Sequence, residues 1–199
     1  MKLYCIGDSI TFGFGVSPAQ RWTRIAAELT GIEIVNLGVN GDTTGGMLAR
    51  LAELCSKEAL SGSIVMVSGG GNDVFFSGTD SAARANFAAM TQQLLACGAY
   101  PLVGLTTPIF PERCRNAWSG FVDYDNAAKK LDALRDWLSG YCEAFGIDSF
   151  DFADALTDGS GKVRSELFPD GLHPGAEGHT LIAQALACRL LELEERLHG

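Results

Sequence analysis

The sequence predicts an α/β fold, a three-layer α/β/α sandwich around one five-stranded parallel sheet, and three observations predict it. Five short apolar runs recur along the 199 residues, and segments of helical periodicity separate them. Strands joined in this way need right-handed crossovers, which leave helices on both faces of a parallel sheet. Many of the 24 glycines cluster, as Gly13/Gly15, Gly38/Gly41, Gly45/Gly46 and Gly69/Gly70/Gly71, where they permit tight turns between elements. A chain of this length buries roughly 70 % of the surface exposed by its unfolded form, enough for a full core and for one domain over residues 1–199.

Taken in order, strands are expected at residues 2–6, 33–36, 63–67, 100–104 and 147–150, each an apolar run bounded by turn residues. Helices are expected at 22–29, 44–56, 82–97, 121–145 and 176–197. The fourth has the clearest period, since Phe121, Tyr124, Ala128, Leu131, Leu134, Leu138 and Tyr141 recur every three or four residues and give one face to the sheet. The longest irregular passages, 106–120 and 152–174, are long enough to be functional or to hide an element.

Fifteen basic against 24 acidic side chains give a formal net charge of −9, which repels nucleic acid and anionic lipid at long range. No nucleic-acid partner is expected. The N-terminal run ends at Gly7, too short for a signal-peptide core, and no apolar run approaches a membrane span; the expected address is cytoplasmic. The six cysteines form no Cys-x-x-Cys pair and no zinc spacing, so most are expected to be buried small hydrophobes. No metal or cofactor is expected. The oligomeric state is not readable, because the leucine-rich last helix can pack on its own sheet.

In open parallel sheets, ligands sit beyond the carboxyl ends of the strands. Each distinctive polar cluster follows a predicted strand: Gly7-Asp8-Ser9 the first, residues 38–44 the second, residues 69–73 the third, and Asp170 to His173 in the segment after the fifth. All are expected at one edge of the sheet.

A hydroxyl nucleophile needs a base, a group that orients the base, and donors for the oxyanion. Ser9 lies at a strand-to-helix junction, where its hydroxyl can project free of the sheet; taken alone, Asp8 and Ser9 fit a helix cap at least as well. Of three histidines, the penultimate His198 belongs to a fraying end, and His179 reads as a solvated position on the last helix. His173 remains, on the loop ahead of that helix. Asp170, three residues earlier across a glycine, can fold back onto one imidazole nitrogen, or can simply cap an Asp-Gly turn. Residues 68–73, Ser-Gly-Gly-Gly-Asn-Asp, lack the Gly-Lys-Ser/Thr ending of a phosphate loop; Asn72 can instead aim its amide at an oxyanion. Gly41 can turn its backbone N–H into the same space, and Thr43 or Thr44 can cap the next helix.

Together the four clusters resemble those of the SGNH hydrolases, also called the GDSL lipase/esterase family. Gly7-Asp8-Ser9 is similar to the first block, Gly38 to Thr44 to the second, Gly70-Gly71-Asn72-Asp73 to the third and Asp170-Gly171-Leu172-His173-Pro174 to the last. The resemblance implies a flavodoxin-like sandwich with strand order 2-1-3-4-5. It also implies Ser9 as nucleophile, His173 as base, Asp170 as its orienter, and the Ser9 amide, Gly41 amide and Asn72 side chain as the oxyanion hole. The expected activity is hydrolysis of small-molecule carboxylic esters of short or medium acyl chains through an acyl-serine. Alternatives are a carbohydrate O-acetyl esterase, a lysophospholipase or acyl thioesterase and, outside enzymes, a flavodoxin-like nucleotide-binding module, which the missing phosphate motifs disfavour.

Aromatic residues near the motifs can line an apolar pocket. Phe12, Phe75, Phe76, Phe110 and Trp118 are the substrate-binding candidates, with Phe14 and Phe121 close to them in sequence; about half of this set is expected to be plain core. Arg113 and Arg115 can attract a carboxylate or phosphate, or merely solvate their loop.

Overall fold

Alternate residues of each strand face opposite sides of the sheet, and this sorts the interior into two halves. The computed structural model describes residues 1–118 and 120–198; the His198 side chain, to which the expectation of fraying applied, lies outside the described residues. Strands β1 (Lys2–Gly7), β2 (Glu33–Gly38), β3 (Ile64–Ser68), β4 (Tyr100–Leu105) and β5 (Asp148–Asp151) form one all-parallel sheet in the order β2-β1-β3-β4-β5. The helices are α1 (Ser9–Phe12), α2 (Trp22–Thr30), α3 (Thr44–Lys57), α4 (Gly71–Ser77), α5 (Ser81–Ala96), α6 (Pro111–Ala117), α7 (Tyr124–Phe145) and α8 (Ala176–His198).

On one face Leu3, Cys5, Ile64, Met66 and Leu102 meet Trp22 and Ala26 of α2 and Ile182, Leu186 and Leu190 of α8. On the other, Tyr4, Ile6, Val65, Val67 and Val103 meet Met47 and Leu51 of α3, Phe87 and Met90 of α5, and Leu134 and Leu138 of α7. The result is the expected three-layer, flavodoxin-like sandwich. Each fully buried large apolar side chain in these layers contributes roughly 1.5–3 kcal/mol of transfer free energy.

All five predicted strands and five predicted helices are present, with ends that shift by a few residues. The fourth helix begins at Tyr124 rather than at residue 121, because Asp123 caps it by accepting from the Asn126 N–H at 3.0 Å. Phe121 therefore lies off the helix, and it is 98 % exposed. Three helices absent from the sequence reading, α1, α4 and α6, follow β1, β3 and β4. Of the cysteines, Cys5, Cys114 and Cys142 are buried, Cys55 and Cys97 are partly exposed and Cys188 is exposed, so half rather than most fill the core. His179 is not a surface residue: it is 1 % exposed and its Nδ1 accepts from the Trp22 backbone N–H at 3.1 Å. Residue spacing put it on α8 correctly; the partner from α2 that buries it is a tertiary feature. Among the described residues no helix is long and apolar enough to cross a membrane.

Candidate active site

β1 ends at Gly7, and the chain turns at once into α1, whose N-cap is Asp8 and whose first residue is Ser9. The Asp8 carboxylate accepts from the Ile10 N–H at 2.9 Å, so the cap does not engage the Ser9 hydroxyl. The capping alternative was therefore correct for Asp8, and it leaves the Ser9 hydroxyl free to act elsewhere. Ser9 Oγ lies 2.9 Å from His173 Nε2. His173 Nδ1 lies 2.8 Å from Asp170 Oδ2, while Asp170 Oδ1 accepts from the backbone N–H groups of Leu172 at 2.9 Å and His173 at 2.7 Å. Asp170 thus both closes the turn and faces the ring, which joins the two readings of that residue.

Burial opposes ionisation of Asp170, but the hydrogen bonds from the His173 ring and from the two backbone N–H groups outweigh it and hold the carboxyl below the usual range. A carboxylate on Nδ1 favours the tautomer that leaves Nε2 as an acceptor toward Ser9. His173 is 6 % exposed. The rings of Phe14, at 4.6 Å between centroids, and Trp118, at 5.6 Å, cover it.

The loop after β2 carries Gly41 at φ +76°, a left-handed conformation that costs a non-glycine residue roughly 1–2 kcal/mol. Thr43 caps α3 by accepting from the Gly46 N–H. Asn72, in the first turn of α4, donates through Nδ2 to the Asp42 carbonyl at 2.8 Å. Its neighbour Asp73 accepts from Thr44 N at 2.9 Å and Thr44 Oγ1 at 2.6 Å. Loops that follow different strands are thereby fastened to each other. Among the described residues, no hydrogen bond engages the backbone N–H of Ser9 or Gly41.

Ser9 and Asn72 border a cavity of about 50 Å³, with Phe75, Ile109, Leu131, Phe152 and Leu172 among its walls. Asp8 also lines it; desolvation pushes that carboxyl up to about 6, against the Ile10 N–H and His173, while the charges of Asp42 and Asp73 add to the rise. Of the five aromatic candidates, Phe75 lines this cavity and Trp118 covers His173. The other three do not line it. Phe12 lies beneath the Arg21 guanidinium at 4.2 Å, Phe76 is 74 % exposed, and Phe110 packs on Phe168 at 5.1 Å against the core. Arg115 pairs with Asp125 at 2.8 Å, and Arg113 donates to the Phe168 carbonyl at 3.4 Å. The wall residues Ile109, Leu131, Phe152 and Leu172 were not anticipated. Leu172 sits within the last polar cluster and Ile109 in the 106–120 passage, but Leu131 and Phe152 have no local signature that separates them from core.

A five-stranded flavodoxin-like sheet with Ser, His and Asp in hydrogen-bonded series at its carboxyl edge is the setting of a hydrolytic enzyme. The chain belongs to the GDSL-like Lipase/Acylhydrolase family, whose family model matches residues 5–181, and is a carboxylic ester hydrolase. It is 34 % identical over 179 residues to the esterase TesA of Pseudomonas aeruginosa, covering 86 % of this chain and 79 % of that one. Among solved structures, a member of the lipolytic G-D-S-L family from Veillonella parvula superposes with a TM-score of 0.81 at 20 % identity, over 96 % of this chain and 98 % of that one. A carbohydrate acetylesterase from Sinorhizobium meliloti superposes with a TM-score of 0.71 at 23 % identity, over 96 % and 99 %.

Proposed function

We propose that the protein hydrolyses carboxylic esters of short acyl chains through an acyl-enzyme on Ser9, with His173 as the base and Asp170 as its orienting partner. The observation that carries this reading is the 2.9 Å separation of Ser9 Oγ from His173 Nε2, with Asp170 behind the ring at 2.8 Å.

Ser9 Oγ adds to the ester carbonyl carbon as its proton passes to His173 Nε2. The negative oxygen that forms takes hydrogen bonds from the N–H of Ser9, the N–H of Gly41 and the Asn72 amide. One N–H of Asn72 Nδ2 is committed to the Asp42 carbonyl, which fixes the amide plane; the second is the one offered to substrate. Collapse breaks the bond to the alkoxy oxygen, and the leaving alcohol takes the proton from His173. Water, deprotonated by the same ring, then releases the acid and restores the Ser9 hydroxyl. None of these steps calls for a cofactor or a metal.

The cavity beside Ser9 has room for a few water-sized groups, which supports the short end of the acyl range. It also favours a second reading, deacetylation of a carbohydrate ester, the activity given for the Sinorhizobium meliloti structural relative. A chain-length series of aryl esters and thioesters, run with an acetylated sugar and against Ser9→Ala, tests both. Turnover that survives in Ser9→Ala would overturn the acyl-serine, and turnover confined to acetyl groups on sugars would select the second reading.

A further inference from the structure

Arg50 stands on α3 outside all four sequence clusters, yet its guanidinium reaches under the carboxyl ends of two strands. Nη2 donates to the Gly7 carbonyl at 2.9 Å and to Asp42 Oδ2 at 2.6 Å, Nε donates to the same carboxylate oxygen at 2.9 Å, and Nη1 donates to the Leu37 carbonyl. These contacts join three segments: the end of β1 two residues before Ser9, the end of β2, and the loop just past Gly41. The Arg50 and Asp42 side chains are 28 % and 14 % exposed, respectively. Gly46 makes room for the pair, since a Cβ there would stand 1.9 Å from Asp42 Oδ1.

Asp42 is itself joined to the oxyanion donors. Its carbonyl accepts from Asn72 Nδ2 at 2.8 Å, and its N–H closes a turn on the Val39 carbonyl at 3.2 Å. Gly41 is its immediate neighbour. A guanidinium that fixes Asp42 therefore fixes what Asn72 is bound to and the peptide that carries the Gly41 N–H.

We propose that Arg50 is a positioning residue for the oxyanion donors, holding Asp42 so that the Gly41 N–H and the Asn72 amide stay in register with Ser9. This rests on the acyl-serine reading above. Exposed ion pairs have little effect, but this one is a planar fork, largely withdrawn from water, that also binds two main-chain carbonyls; a lysine reproduces the charge and not the fork. Charge works in the same direction. Asp8, Asp42 and Asp73 crowd the region where a negative oxygen would develop, and Arg50 is the cation paired with Asp42. Without it, an uncompensated carboxylate stands behind Asn72. Asp73 and Thr44 hold the same loop independently, so the fold survives loss of the guanidinium.

The test compares wild type with Arg50→Met, Arg50→Lys and Asp42→Asn in four measurements: kcat and KM for a short aryl ester, inhibition by a boronic acid that forms a tetrahedral anion on serine, fluorophosphonate labelling of Ser9, and the thermal midpoint. Arg50→Met is expected to lose about 10- to 100-fold in kcat with KM within about twofold, the range that sub-ångström to 1 Å misplacement produces. Boronate affinity and labelling rate should fall by the same factor at a nearly unchanged midpoint, and Arg50→Lys should recover part of the loss. An unchanged kcat, or a kcat loss with unchanged boronate affinity, would overturn the proposal. If Arg50→Met does not fold, Asp42→Asn decides on the same criteria. Wild type that fluorophosphonate fails to label would overturn the acyl-serine reading itself; wild type and Arg50→Met labelled equally fast would overturn the role of Arg50 alone.

Discussion

His173 is tied to Asp170 at two points, its ring Nδ1 2.8 Å from Oδ2 and its backbone N–H 2.7 Å from Oδ1. Asp170→Asn separates the two. An asparagine oxygen still accepts the backbone bonds and keeps the turn, but its NH₂ faces Nδ1 and forces the proton onto Nε2, where it cannot accept from Ser9. The expected result is a kcat lower by about 10³- to 10⁴-fold with little change in the thermal midpoint. A variant within tenfold of wild type would contradict the orienting role.

Asn72→Ala removes one of the proposed oxyanion donors and should lower kcat by about 10²- to 10³-fold with KM nearly constant. Steady-state kinetics on one short ester resolve this. A rise in KM at constant kcat would instead mark Asn72 as a ground-state contact. Gly41→Ala should also be destabilised by roughly 1–2 kcal/mol, because its φ of +76° is unfavourable for a side chain.

Phe75 lines the cavity and meets the Tyr124 ring at 6.2 Å. Truncating it to alanine deepens the pocket, so the ratio of kcat/KM for hexanoyl over acetyl esters should rise. Each extra methylene that the enlarged pocket buries favours binding by about 0.8 kcal/mol. Phe76→Ala, at an exposed position outside the cavity, is the control and should leave the ratio unchanged. Equal effects in both variants would place the acyl chain elsewhere.

His179 has its ionisation lowered to about 4, from an ordinary value of 6.5, by burial first and then by the charges of His173 and Arg21. Between these values the unfolded chain binds more protons than the folded one, so this contribution is whole above pH 6.5 and is lost as pH falls toward 4. Asp8, raised to about 6, acts in the opposite sense, contributing fully below about 3.8 and losing that contribution as pH rises through 6. His179→Gln isolates the histidine, since Asp8 is common to both proteins. Denaturant unfolding at pH 7.5 and 4.5 should show the stability gap between wild type and variant shrink by about 2–3 kcal/mol at the lower pH. A constant gap would refute the assignment.

The strands were legible because their apolar runs are long against their turn-rich borders, and the four polar clusters because each starts where a strand stops. The Asp170 and His173 pair was legible from a spacing of three. The helices α1 and α4 were not, since each begins on motif residues, Ser9 and Gly71, and is too short to show a 3.6-residue period. Phe12, Phe76 and Phe110 resembled pocket aromatics by their nearness to motifs, but nearness does not set where a ring goes: Phe12 lies under Arg21, Phe76 faces solvent, and Phe110 packs on the distant Phe168. Arg50 left no local trace for the same reason. Besides the Asp42 carboxylate eight residues earlier, its acceptors are main-chain carbonyls of Gly7 and Leu37, and any sequence supplies carbonyls.

The hydroxyl and the imidazole that meet at 2.9 Å come from positions 9 and 173, a separation of 164 residues. During synthesis the serine emerges long before the imidazole that it meets. A truncation anywhere between the two leaves the Ser9 hydroxyl without that ring. Under the proposed acyl-serine mechanism, turnover of a simple chromogenic ester requires these two distant segments to be folded together, which makes it a readout of folding as much as of chemistry.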